Sequence, residues 1–131
     1  MKKIVVFSYV LPGAMGAPGA IKLIDSESNV LEASINSIEK VTEEQSVLKI
    51  IQSSEQFFLS LIQQFSQDFW GSDSMDGWRP AYLGMGNFLF VRDEYFEDFK
   101  SLSTKKGIKT PYDLYSNWMA IIKDILNQNK E

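Results

Sequence analysis

Residues 20–35, AIKLIDSESNVLEASI, decide the fold class, because they hold two alternating runs around a cluster of turn formers. Residues 20–24 and 30–35 alternate apolar and polar side chains, which is the period of a strand with one buried face. Residues 25–29, DSESN, are types that favour turns. The pattern predicts a hairpin and hence an antiparallel sheet.

A further strand is predicted upstream at residues 4–10, IVVFSYV, which are β-branched and aromatic. The stretch between them, LPGAMGAPGA at residues 11–20, carries glycines at a G-x-x-G-x-x-G spacing. A phosphate cradle needs a helix after its glycines, and here a strand pattern follows. We interpret the stretch as a long connection between two strands. Its Met15 is a candidate contact for a partner.

Downstream, an apolar stripe at spacings of three and four predicts a long helix from about Ser54 that ends at Gly71. The stripe consists of Phe58, Leu61, Ile62, Phe65 and Phe69. Residues 37–51 suit either a strand or a helix, and the capping-box spacing that begins at Thr42 favours a helix. Phe57 and Trp70 lie partly off the stripe. They suit a second buried face or a homodimer contact, and core packing is the favoured explanation.

The second half of the chain predicts an exposed loop at residues 71–80, GSDSMDGWRP, and a hairpin of residues 81–84 and 88–92. Asp93 is expected to cap a short helix that runs to about residue 102. Thr110, Pro111 and Asp113 have the spacing of a helix start, and that helix should run to about residue 127. Tyr112 and Tyr115, near its start, are expected to be exposed.

The sequence therefore predicts one α+β domain over residues 1–131. Its antiparallel sheet of four to five strands is packed by two long and one shorter amphipathic helices. No repeat at a fixed period is visible, which argues against a solenoid.

Composition excludes several classes of function. The chain has 131 residues, no Cys and no His, so thiol chemistry, zinc–cysteine sites and Ser-His-Asp catalysis are ruled out. We expect no catalytic residue, no metal and no cofactor. The net charge of −4 comes without a basic patch, which argues against nucleic-acid binding. Residues 1–17 imitate a secretory signal, but Ser8 and Tyr9 interrupt the apolar run. No run is long enough to span a membrane, so we expect a cytoplasmic protein.

Acidic residues in two segments are the candidate contacts for a partner. Asp73 and Asp76 lie in the predicted loop of residues 71–80, and Trp78 in the same loop is a further candidate contact at an exposed tip. A calcium loop there is excluded, because its last ligand position holds Leu83 and not an acid. Glu94, Glu97 and Asp98 lie in the predicted helix after Asp93. Helix capping and a solvent-facing surface explain most of these acids. The remaining interpretation is electrostatic contact with a basic partner.

The segment AYLGMGNFLFVRDEYFEDFKSL, residues 81–102, is a strand pair that leads into an acidic amphipathic helix. In this segment, and in size and charge, the chain resembles bacterial toxin-immunity proteins of the contact-dependent inhibition type. The resemblance implies a cytoplasmic, non-catalytic protein that neutralises a cognate toxin by occluding its basic active site. The alternative is a phage or mobile-element protein that sequesters a nucleotide or another small ligand through the glycine loop.

Overall fold

The computed structural model describes residues 2–11, 19–40, 42, 44–65 and 69–128. Within these ranges, five strands and four α-helices follow one another. In order they are β1 (Ile4–Val10), β2 (Ala20–Asp25), β3 (Val30–Ser34), a 3-10 helix (Ile35–Lys40), α1 (Gln45–Ile51), α2 (Glu55–Gln64), β4 (Trp78–Gly84), β5 (Asn87–Arg92), α3 (Asp93–Lys105) and α4 (Pro111–Gln128).

The strands form one antiparallel sheet in the order β3-β2-β1-β5-β4. The predicted hairpin of β2 and β3 is confirmed, and so is the α+β class. β1 lies at the centre, with β2 on one side and β5 on the other. This position explains why its sequence is a nearly continuous apolar run, since a strand covered on both faces does not alternate.

Helices cover both faces of the sheet, which gives the domain two cores. On the first face, α1 and α2 pack over side chains that include Phe7, Leu23 and Phe90. On the second face, α3 and α4 pack over others that include Val6 and Leu89. Phe57 contacts the first core and Trp70 the second, in agreement with the favoured explanation of core packing.

The predicted long helix ends earlier than expected. Residues 45–51 are helical, as the capping spacing suggested, but Glu44 is the N-cap and Thr42 Oγ1 accepts from the Glu44 N–H. α2 then ends at Gln64, not at Gly71. Gly71 instead lies against β4, where a Cβ atom would come within 2.7 Å of the Pro80 carbonyl oxygen. Only glycine, which has no Cβ atom, lets the backbone of residue 71 come this close to Pro80.

The prediction of a loop over residues 71–80 is wrong for its last three residues, because β4 begins at Trp78. Pro80, the last residue of the predicted loop, lies within β4, which is an edge strand. The Pro80 C=O faces away from β5 and accepts from the Gly71 N–H at 2.8 Å, so the N–H that proline lacks would also have faced outward. No helix of the described residues is both long and apolar enough to cross a membrane.

Candidate functional site

The predicted acidic contacts come from two segments that the fold brings side by side. The turn before β4 contains Asp73 and Asp76, and the first two turns of α3 contain Glu94, Glu97 and Asp98. A backbone hydrogen bond of 2.9 Å joins this turn to the first residue of α3. All five acids are exposed. Together with residue 93 they form what we call the acidic surface.

Asp93 is the first helical residue of α3 and not its cap, which corrects the predicted role. Arg92 occupies the N-cap position and makes no side-chain cap. The Asp93 carboxylate instead accepts from the Ser74 hydroxyl. It also lies 3.6 Å from Arg79 Nε, while Arg79 Nη1 donates to Glu97 Oε1 at 3.2 Å. Arg79 therefore bridges two acids one turn apart on α3.

Two further ion pairs lie on the acidic surface and are exposed. Lys3 Nζ lies 2.6 Å from Glu94 Oε1, and Lys49 Nζ lies 3.0 Å from Asp76 Oδ2, with side chains between 47% and 74% exposed. Pairs this exposed contribute about 0–1 kcal/mol each, because water competes for both charges. A cation from a partner can replace them at little cost.

The acidic surface keeps an excess of negative charge. Its six carboxylates are Asp73, Asp76, Asp93, Glu94, Glu97 and Asp98. Four of them pair with three cations, Lys3, Lys49 and Arg79. Within the described ranges no ion pair reaches Asp73 or Asp98. An excess of about three negative charges is therefore presented to solvent.

Trp78 does not belong to this surface, and the prediction of an exposed contact there is wrong. Its side chain has no exposed area. The Trp78 indole N–H donates to Ser46 Oγ at 3.0 Å, and the ring meets Phe7 edge to face at 4.8 Å. The Arg92 guanidinium lies 4.1 Å from the Trp78 ring centroid. Trp78 thus joins α1 to the sheet as part of the first core.

Met15 lies outside the described residues, but both ends of its connection are described. Leu11 donates its backbone N–H to the Gly86 carbonyl at 3.0 Å, and Gly19 packs beside Tyr9. These residues lie where β1 ends, whereas the Lys3–Glu94 pair lies where β1 begins. Both ends of the glycine connection therefore lie at one end of the sheet, and the acidic surface lies at the opposite end.

A groove that the sequence did not predict lies at the glycine-connection end. α3 and α4 pack on β4 and β5. Beside α4, the second face of β1–β3 is left partly open, with a cavity of about 450 Å³. Its polar lining consists of Ser8, Lys22, Glu32, Ser34, Asn87 and Tyr115, and Trp118 and Leu83 contribute apolar walls. The size is that of a small-ligand site.

Two pKa shifts bear on what these residues can do. Burial raises the pKa of Tyr9, so its phenol stays protonated at neutral pH and is not an activated base. Burial also raises the pKa of Asp25, but hydrogen bonds from Asn29, Glu27 and Lys2 outweigh it and hold the pKa below its ordinary value. Asp25 is therefore an ionised turn anchor. No group of three acidic side chains among the described residues could hold a metal ion.

One partial signal for the groove was present in the sequence, namely the exposure expected for Tyr115. That exposure is confirmed at 53%, along with that of Tyr112. Apart from Gly19, and Trp118 of α4, the remaining lining residues come from all five strands, and single-strand patterns do not reveal which of them share a face. Comparison with protein families, with curated proteins and with solved structures finds no match to this chain.

Proposed function

We propose that the protein is a non-catalytic inhibitor of the immunity type, which neutralises a basic toxin domain by covering that domain's active site. The observation that carries the proposal is the convergence of acids from two segments onto one surface. Asp73 and Asp76 come from the turn before β4, and Glu94, Glu97 and Asp98 come from α3. Their excess negative charge would attract a cationic active site from a distance.

The exposed ion pairs support this role. Lys3, Lys49 and Arg79 hold four of the carboxylates in place without burying them. A basic partner would replace these weak pairs with its own contacts to the acids. Water would be excluded from those contacts as the partner docks. The acids would then occupy the positions that the phosphates or other anionic groups of a toxin substrate take. The proposal places the protein in the cytoplasm, where such a toxin would act.

The direct test is co-expression with the product of the reading frame immediately upstream, which the proposal expects to be a toxin. The wild-type chain should restore growth, and the variant Asp73→Asn, Glu97→Gln, Asp98→Asn should protect poorly at equal protein level. The matched control is Glu27→Gln, Glu55→Gln, Asp124→Asn, which removes the same charge elsewhere. Glu27 and Glu55 are exposed, and the Asp124 side chain is 47% exposed beside Lys106. If both triple variants protect as the wild type does, the acidic surface is not the binding site.

A second candidate is the binding of a small ligand, and the groove is the observation that favours it. The groove is lined by residues next to both ends of the glycine connection, Val10 and Gly19, and by Tyr115. Against phosphate, its cationic lining residue Lys22 already pairs with Glu32 at 3.1 Å. Calorimetry against a panel of nucleotides separates the candidates, since the inhibitor proposal expects no heat from any of them.

A further inference from the structure

The two edges of the sheet differ in whether another strand can join them. Beyond β4, the edge is occupied by the backbone of residues 69–71. Gly71 donates to the Pro80 carbonyl at 2.8 Å, and Tyr82 donates to the Phe69 carbonyl at 2.9 Å. Pro80 also has no N–H to offer. This edge is closed to an incoming strand.

Beyond β3, the backbone groups face outward and are free to pair. The Asp25 N–H donates to the Asn29 carbonyl at 3.1 Å, and the Ile35 N–H donates to the Gly19 carbonyl at 2.9 Å. Antiparallel pairs alternate, so the odd-numbered residues of β3 bond to β2. The outward N–H and C=O groups therefore belong to Val30, Glu32 and Ser34. The Ser34 C=O is already used by the first turn of the 3-10 helix that begins at Ile35, and the other outward groups have no backbone partner in the described part of the chain.

The side chains of β3 define what a strand beside it would carry. Leu31 and Ala33 lean on the first core and are half-buried. Glu32 lies on the other face, its side chain 71% exposed, beside Lys22. Opposite charges pair favourably across neighbouring strands, and apolar side chains pair with apolar ones. A matching strand carries a cationic residue opposite Glu32, which is exposed enough to exchange its weak pair with Lys22, and apolar residues at the alternate positions.

We propose that the outer edge of β3 binds an extended segment of a partner protein in which cationic side chains alternate with apolar ones. Its backbone pairs with Val30, Glu32 and Ser34, as in other cases of strand addition. Its cationic side chains lie on the Glu32 face, where the groove gives them room. This surface lies at the opposite edge of the sheet from β4 and does not depend on the proposed inhibitor function.

A second copy of the chain fits this edge less well. The two-fold pairing that uses all three outward residues places Glu32 opposite its own counterpart, and like charges directly opposite are destabilising. The occupant is therefore a segment of another protein.

The probe is a capped peptide of alternating lysine and valine, compared with one of glutamate and valine. A third peptide keeps the lysines and valines but is N-methylated on alternate amides, which removes the N–H groups that face β3. The readout is amide hydrogen exchange by NMR. Only the first peptide should protect the amides of Val30, Glu32 and Ser34. N-methylation should weaken binding about tenfold or more, the loss of several backbone hydrogen bonds.

Glu32→Lys should weaken binding of the lysine peptide about fivefold or more, and Glu27→Lys, the same change in the adjacent turn, should leave it unaltered. Equal binding of the methylated peptide would overturn the proposal. So would loss of binding in the Asp73→Asn, Glu97→Gln, Asp98→Asn variant, which would move the site to the acidic surface. Protection of the β3 amides that rises with protein concentration alone would identify a second copy as the occupant.

Discussion

The Asp25 carboxylate shows how much one side chain can organise. It accepts four hydrogen bonds, from the backbone N–H groups of Lys2, Glu27 and Asn29 and from the Asn29 side-chain amide. These bonds close the turn between β2 and β3 and attach Lys2, two residues before β1, to it. They favour the ionised form, which is why the pKa of Asp25 is lowered despite burial.

Stability should depend on pH through Asp25. Because its pKa is lower in the folded state, its contribution is full above the ordinary pKa of Asp, about 3.9, and is lost as pH falls through the lowered value. Asp25→Asn should cost about 1–3 kcal/mol at pH 7, because the Asn NH₂ cannot accept from the Lys2 N–H. It should also flatten the decline in stability below about pH 4. Urea unfolding across pH measures both, and parallel wild-type and variant curves would contradict this role.

Arg92 has a comparable structural role. It donates to the Ile4 carbonyl and to Glu44 Oε2, and it stacks on Trp78. The guanidinium thus ties β5 to β1 and α1. In the sequence, Arg92 is a polar residue at the end of a predicted strand. Only the packing in the structure shows that its guanidinium covers the buried indole of Trp78.

At the scale of elements, the turn between β4 and β5 is strained by its sequence. Met85 and Gly86 both have positive φ, +53° and +77°, and the Met85 side chain is 94% exposed. A left-handed conformation suits glycine and asparagine, and it costs other residues about 1 kcal/mol. The Met85 side chain repays little of this cost by burial.

Met85→Asn should therefore stabilise the protein by about 0.5–1 kcal/mol, with the hairpin unchanged. Thermal or urea unfolding measures the change, and Met85→Ala, which keeps the strain, is the control. A loss of stability in the Asn variant would show that Met85 makes contacts beyond those described.

The start of α4 is a local signal that the sequence predicted correctly. Thr110 Oγ1 accepts from the Asp113 N–H at 3.0 Å, and the Asp113 carboxylate accepts from the Thr110 N–H at 3.2 Å. Thr110→Ala should cost about 0.5–2 kcal/mol of stability. Thr104→Ala is the matched control, since that exposed hydroxyl only donates back to the Lys100 carbonyl. An equal cost for both variants would deny the cap its role.

Elements set by local chemistry were predictable, and those set by distant contacts were not. The β2–β3 hairpin and the start of α4 follow from alternation and capping within one segment. The end of α2 and the start of β4 depend on residues 69–71 pairing with β4, which no local pattern reveals. Trp78 is predicted to lie in a loop, because Gly77 and Pro80 around it favour turns. Its actual place in β4 depends on the same distant contacts.

At the scale of the molecule, the acidic surface and the groove lie at opposite ends of the sheet. The acidic surface lies where β1 begins, near α3 and the turn before β4. The groove lies where β1 ends. The free edge of β3 is the edge of the sheet opposite β4. The sequence identified the acids but could not predict that two segments converge, since that depends on the order of the strands. Met15 remains a predicted contact.

The central claim is that the acidic surface attracts a basic partner. Its most direct test is the association rate with the toxin domain that the proposal expects the upstream reading frame to encode, measured by stopped flow at about 0.02 M and about 0.2 M ionic strength. The Asp73→Asn, Glu97→Gln, Asp98→Asn variant should associate about tenfold more slowly at low salt and lose most of its salt dependence, unlike the Glu27→Gln, Glu55→Gln, Asp124→Asn control. Equal rates and equal salt dependence for the two variants would contradict the claim.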